Sequence, residues 1–284
     1  MNQSNIDLVN ALAGSAVGAT DSSTGWIMDD PQPNSKFQKE FNPDQPRNDH
    51  GEWTSGGDSG SMQKMPYSMR VGDNASHFQK GEAEVAQTAF RNVSLDPIAI
   101  RMSSDALWRI TQDGRMKSVF ETGTNFAGDR LGASYMRERD NLETNLWKVP
   151  ADATRPIYGY LDTQYNNHDP MVGQYGGIKI TLNDNVAGRT TMTADDSLNA
   201  YTIPVPIMDA RAGTLSDQAI SNATPRYSVD RGNLDVHYYE AQIHGGVSLS
   251  DIKSVDLGYQ PISPDTYNAL FIKGIEVKNL GGVK

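Results

Sequence analysis

Apolar and polar positions along the 284-residue chain fall into two regimes, and the change comes near residue 80. From residue 81 onward, short apolar runs alternate with turn residues. GEAEVAQTAFRNV predicts a helix with Val85, Ala89 and Val93 inward, broken by Pro97. IAIRM, residues 98 to 102, alternates with period two and predicts a strand. DALWRITQD predicts a helix capped by Ser104 or Asp105, with Leu107, Trp108 and Ile110 inward and Gly114 closing it. SVFETGT predicts a strand and glycine turn, and residues 125 to 150 an irregular to helical stretch. RPIYGYLDT and YGGIKITLN predict strands, GRTTMTADDSL predicts a polar turn region, and residues 199 to 232 hold no decisive pattern. LDVHYYEAQIHGGV carries the strongest strand signal, with Val236, Tyr238, Glu240, Gln242 and His244 on one face. VSLSDIKSVDLG predicts a short strand and turn, and PDTYNALFIKG a helix capped by Ser263. Strands and helices that alternate without a βαβ period predict an α+β domain. Its sheet is mostly antiparallel or split, with flanking helices.

Residues 20 to 80 are rich in Gly, Ser, Asn, Asp and Pro, and burial of such a segment does not offset its backbone entropy. The expected organisation is therefore a flexible arm over 1–80, with a short weak helix over residues 7 to 19, followed by a candidate catalytic domain over 81–284. Hydrophobic residues make up 37% of the chain and the mean hydropathy is -0.57, in keeping with a segment that contributes no core.

The net charge of -10 repels phosphate backbones and anionic membranes, so nucleic acid is a disfavoured partner. The absence of cysteine excludes disulfides, thiolate nucleophiles and cysteine-based zinc sites. The apolar runs are too short to span a bilayer. GxxxxGK[ST], GxGxxG, HExxH and GxSxG are all missing, which leaves no familiar route to nucleotide hydrolysis, dinucleotide redox chemistry, zinc proteolysis or α/β-hydrolase chemistry.

Chemistry then rests on scattered residues. Arg101 ends a short apolar strand, where a guanidinium fork serves a phosphate or ribose, or simply pairs a surface acid. Glu240 stands mid-strand, and a carboxylate there is costly unless it faces a cleft. With Gln242 and His244 it forms a row able to orient a sugar hydroxyl and stabilise an oxocarbenium-like centre. Thr122, Gly123 and Thr124 offer hydroxyls and an unshielded amide, or a plain turn. Tyr158 and Tyr160 flank Gly159 and either stack a planar ring or pack in the core. Arg189 with Thr190, Thr191 and Thr193 binds a phosphate or forms a loop. His237 and His244 are candidate general bases for a different chemistry.

Two resemblances add to these residues. FNPDQPRNDHGEWTSGG, residues 41 to 57, resembles a linker peptide of tailed-phage head proteins, and implies a virion setting with phage head proteins as partners of the arm. SVFETGTNFAGDR, RPIYGYLDT, YGGIKITLNDNVAGRTTMTADDSL and YYEAQIHGGVSLSDI resemble, over about residues 98 to 258, an uncharacterised bacterial and phage family known only as a domain of unknown function. That family tends to carry histidine where this chain has Arg101.

The same series is remotely similar to the ADP-ribosyltransferases. This resemblance implies an ADP-ribosyltransferase-like fold and NAD as substrate. Arg101 would hold its phosphate or ribose, Thr122, Gly123, Thr124, Tyr158 and Gln242 would line the pocket, and Glu240 would polarise the ribose hydroxyl. The superfamily often has an acid or glutamine two residues before the glutamate, where this chain has Tyr238. The implied protein is a phage-encoded effector in the virion or host cytoplasm that modifies a host macromolecule. The competing expectation is a non-catalytic minor head or internal virion protein.

Overall fold

The computed structural model describes residues 81–163, 169–230 and 233–279, with Ser76, Phe78 and Gln79 ahead of them. All but those three residues of the expected arm, with its short helix and the strip at 41 to 57, lie outside the described residues. The first helix, α1 (Glu82–Val93), draws on Glu82 and Glu84 in its first turn, where the helix dipole favours negative charge. Its inward residues are Ala86, Phe90 and Val93. Val85, expected inside, is 42% exposed. The apolar stripe is set by Phe90, the bulkiest side chain on the helix, which meets the ring of Tyr239 edge-on with centroids 5.6 Å apart.

The expected strand is β1 (Ile98–Met102), and it leads into α2 (Ser104–Asp113). The cap of α2 is Ser103, one residue earlier than expected: its hydroxyl accepts from the Ala106 N–H at 3.3 Å. Gly114 closes the helix at φ 72°, as its position predicts. Trp108 turns outward and is 49% exposed, while Ala106, Leu107 and Ile110 face the core. After β2 (Arg115–Met116) the stretch SVFETGT is helical rather than extended, forming the single turn α3 (Val119–Thr122). Ser118 and Glu121 stand in the capping-box arrangement there, with the Ser118 N–H donating to Glu121 Oε2 at 2.8 Å, the S-x-x-E signature of a helix start.

Residues 125 to 150 contain α4 (Ala133–Asn141), which runs on into a π-helical turn over Leu142–Leu146. The remaining main-sheet strands are β3 (Ile157–Leu161), β4 (Ile178–Leu182), β5 (Thr190–Ala194), β6 (Val205–Pro206), β9 (Tyr239–Ile243), β11 (Ile252–Asp256) and β12 (Glu276–Lys278). Two small ribbons pair β10 (Val247–Ser248) with β2, and β7 (Val229–Asp230) with β8 (Asn233–Leu234). The large sheet has the order β12-β11-β4-β1-β3-β9-β5-β6. Its neighbours are antiparallel except β11 and β12, which are joined by the crossover helix Pro264–Ile272, capped by Ser263 as expected. A mixed α+β fold with a mostly antiparallel sheet is thus established.

GRTTMTADDSL departs most from expectation. Its first half is β5, buried along its whole length within the sheet. The threonine hydroxyls find internal acceptors, Thr190 on the Val186 carbonyl at 2.8 Å and Thr191 on Gln242 Oε1 at 3.0 Å, so polar side chains enter a core position without loss.

Strand alternation gives the sheet two unlike faces. Ile98, Ile100 and Met102, Ile178, Ile180 and Leu182, and Ala241 and Ile243 share one main core with Phe90 of α1 and Leu107 of α2. The opposite face is polar. One cross-strand row on it runs Ser254, Thr181, Ala99, Tyr160, Glu240, Thr193. The next row carries Asp256, Lys179 and Arg101 at one end, and Tyr158, Gln242 and Thr191 at the other. A folded chain does not need such a face for its core, and the candidate chemistry lies there.

Candidate active site

Glu240 sits mid-strand in β9 between Tyr160 and Thr193, and only 5% of its surface is exposed. Its Oε1 accepts from the Ser197 hydroxyl at 2.5 Å and from Gln242 Nε2 at 2.8 Å. Ser197 reaches it because Asp195 adopts a left-handed backbone, φ 55°, and Asp196 then caps a short helix by accepting from the Leu198 N–H at 2.8 Å. Asp195 is a non-glycine residue held in a costly conformation, secured by hydrogen bonds from Ser228 Oγ at 2.6 Å and the His237 N–H at 2.8 Å.

The guanidinium beside Glu240 comes from α4. Arg139, buried, donates to Ser197 Oγ at 3.1 Å and to the Tyr135 hydroxyl at 3.2 Å. Its Cζ lies 4.2 Å from the Tyr158 ring centroid, a cation–π contact. Burial opposes its charge, but Tyr158, Glu240, Tyr135 and Asp196 around it hold the guanidinium firmly protonated. Burial pushes the Glu240 carboxyl up to about 7, against the pull of Arg139, with Asp196 adding to the rise. The same surroundings raise Tyr175 to about 12 and Tyr238 higher still. Burial is the main cause for both, and the charges of Asp196 and Glu240 contribute. Tyr135, Tyr158, Tyr175 and Tyr238 therefore gather around one acid and one cation.

A second buried acid adjoins this group. The Tyr158 hydroxyl donates to Glu143 Oε1, and Arg155 donates to Glu143 Oε2 at 3.1 Å and to Asp140. Burial lifts Glu143 to about 7, opposed by Tyr158, Arg155 and Arg139. The π turn at Leu142–Leu146 places Glu143 here, with Trp147 behind it donating Nε1–H to the Thr202 carbonyl at 2.9 Å.

On the far side of Glu240, Gln242 also donates to Thr193 Oγ1 at 3.2 Å and accepts from Thr191 Oγ1, which lies 2.9 Å from His244 Nε2. Thr191 spends its single proton on Gln242, so the hydrogen-bond pattern assigns the His244 proton to Nε2. Burial and Arg189 push His244 down to about 3, leaving it a neutral, sealed residue. His237 is exposed and lies 3.4 Å from Asp195.

The residues expected from sequence are divided among three places. Glu240, Gln242 and Tyr158 join one network. Arg101 shares their sheet face and the row of Tyr158 and Gln242, but stands two strands from Glu240, about 10 Å across and about 7 Å along by ordinary strand geometry. Tyr160 lies between, packed with Ala99, Val172 and Tyr238, and Arg101 has Lys179 as its register partner and Asp256 within its field. Thr122, Gly123 and Thr124 lie elsewhere. The Gly123 N–H is bonded to the Val119 carbonyl at 2.8 Å and is unavailable to a ligand, while Thr122 and Thr124 edge a cavity of about 270 Å³ against α2. Arg189 is a staple, not a phosphate ligand: it donates to the His244 and Gly246 carbonyls and pairs with Asp251 at 3.0 Å.

Arg139, Ser197, Glu143 and Arg155 were not singled out by sequence reasoning. Arg139 lies in the charged run RERD, which reads as a solvated helix face, and nothing in its periodicity marks which of that run's two guanidinium groups is buried. Ser197 was detectable as the residue after an acidic helix cap, DDS. Among the described residues, no group of three or more His, Asp or Glu side chains could hold a metal ion, and no helix is long and apolar enough to cross a membrane.

No protein-family model matches the chain. It is similar to the Gene 2 protein of Mycobacterium phage L5, 32% identical over 179 aligned residues that cover 55% of this chain and 62% of that relative. It is also similar to the Gene 2 protein of Mycobacterium phage D29, 27% identical over 169 residues with the same coverage of each. The chain thus spans about three fifths of the length of these curated relatives. Likeness to phage proteins agrees with the phage association implied by residues 41 to 57.

Proposed function

We propose that the protein is a phage effector that transfers ADP-ribose from NAD to a host macromolecule, with Glu240 as the reacting acid. The observation that carries the proposal is a buried carboxylate on the polar sheet face, beside a buried guanidinium and ringed by four tyrosines. In this reading the C1′–N bond to nicotinamide breaks, and nicotinamide leaves with the electron pair. Positive charge develops on C1′ and the ribose ring oxygen. Glu240 accepts a hydrogen bond from a ribose hydroxyl and opposes that charge. Nicotinamide is a planar cation in NAD, and a tyrosine face suits it. The nucleophile of the acceptor then bonds to C1′ and loses its proton to solvent. Arg139, close to Glu240, favours the ionised carboxylate that the step requires, and Arg101 on the same face, about 10 Å across and about 7 Å along, is the cation for the more distant pyrophosphate.

The test is transfer of label from NAD labelled in its adenylate half to proteins of a host lysate, compared between the native chain and Glu240→Gln. Label incorporated by the native chain and not by the variant supports the proposal. No label above a protein-free control removes it. The second reading, a non-catalytic virion component, draws on the phage relatives and on the two hydrogen bonds that Ser197 and Gln242 already make to Glu240 Oε1. It predicts that Glu240→Gln alters only stability.

A further inference from the structure

We propose that the cavity beside α2 is a separate binding site for a phosphate carried on one nucleoside, a nucleoside monophosphate. Three cations converge on it from three segments: Arg109 from α2, Arg115 from β2, and Lys117 from the following loop. Asp113 is the one acid on its wall. With Glu121, which pairs with Arg115 just behind the wall, three cations meet two acids, a local excess of one positive charge on a chain whose net charge is -10. Lys117 spends one of its three donors on Asp113 at 2.8 Å, and Arg115 is held in place by Glu121 at 2.5 Å. Arg115 is thereby fixed as a charge at the wall, while Lys117 keeps two donors for a ligand. Arg109 makes no side-chain ion pair with the described residues.

The rest of the cavity is apolar where the cations are not. Ile110, Val119 and Phe126 provide a floor for a flat ring, and the hydroxyls of Thr122 and Thr124 stand at its edge. The volume of about 270 Å³ lies just below the usual range of ligand pockets, about 300–1,000 Å³, which limits the occupant to one nucleoside monophosphate and excludes a whole dinucleotide. None of its lining residues belongs to the Glu240 network. The site therefore stands whether or not NAD is the substrate.

Isothermal titration of AMP, adenosine and inorganic phosphate into the full chain tests the proposal, with Arg109→Ala, Lys117→Ala, Val119→Phe and Glu240→Gln as variants. AMP should bind most tightly, and its affinity should fall with added salt. Each cation variant should weaken AMP about tenfold or more, the scale of a charged hydrogen bond. Val119→Phe should abolish binding by filling the floor, with the near-UV spectrum showing that the fold is kept. Glu240→Gln should leave AMP binding unchanged. Binding of AMP that survives Arg109→Ala and Lys117→Ala overturns the proposal, as does binding lost on Glu240→Gln or no AMP binding at all. Adenosine bound as tightly as AMP overturns the phosphate assignment.

Discussion

Replacing Glu240 by glutamine separates a residue kept for chemistry from one kept for the fold. The carboxyl has an ordinary value of 4.5 and stands at about 7 in the folded protein, chiefly through burial. Each tenfold change in proton affinity is worth about 1.4 kcal/mol, so holding Glu240 ionised costs the fold about 3 kcal/mol relative to a neutral group. The sign follows from which state binds the proton more tightly. Here the folded state does, so the contribution is most favourable below pH 4.5 and is lost as pH rises through 7. Glutamine imitates the neutral acid at every pH. Glu240→Gln should therefore be more stable than the native chain at pH 8, by up to about 3 kcal/mol, and the gain should vanish near pH 4.5. Urea unfolding at pH 4.5, 6 and 8 measures the difference directly, and subtracting the native curve cancels the parallel contribution of Glu143. A variant less stable at pH 8 by 1 kcal/mol or more would show Glu240 to be one half of a stabilising ion pair with Arg139, and the reasoning would fail.

Removing the cation acts in the opposite direction: Arg139→Ala leaves Glu240 without its nearest positive charge and should cost about 3–5 kcal/mol at pH 8. The cost should be smaller at pH 5, where the acid is protonated, as pH-dependent urea midpoints would show. Phe90→Ala should cost about 3–5 kcal/mol, because the ring is fully buried between α1 and the apolar sheet face, and thermal unfolding would register the loss. Gly159→Ala should cost about 1–3 kcal/mol, since a Cβ there would lie 2.5 Å from the Ala99 carbonyl oxygen, and β1 and β3 would have to part; hydrogen exchange should quicken in those two strands.

The secondary structure was legible wherever one physical signal acted alone. Ser263 ahead of PDTYNALFIKG, Gly114 after α2, and the alternation in IAIRM and YGGIKITLN each left a single interpretation. β5 was hidden because its threonines are polar by composition yet β-branched by shape, and only the sheet supplies acceptors for their hydroxyls. SVFETGT was misread because its β-branched and aromatic start outweighed the capping box at Ser118 and Glu121. The site was half legible. Glu240 stood out because a mid-strand acid is expensive, whereas Arg139 did not, because burial of a helical arginine depends on which face of α4 meets the sheet. The cation assigned from sequence, Arg101, shares the face of Glu240 but not its contacts.

Nicotinamide release from NAD needs no acceptor, and so tests the central claim apart from the identity of any target. Incubated with millimolar NAD at pH 8, the native chain should release free nicotinamide measurable by chromatography, and Glu240→Gln, folded and at least as stable, should release none above the spontaneous rate. No release by the native chain, or equal release by the variant, would contradict a reacting carboxylate at Glu240.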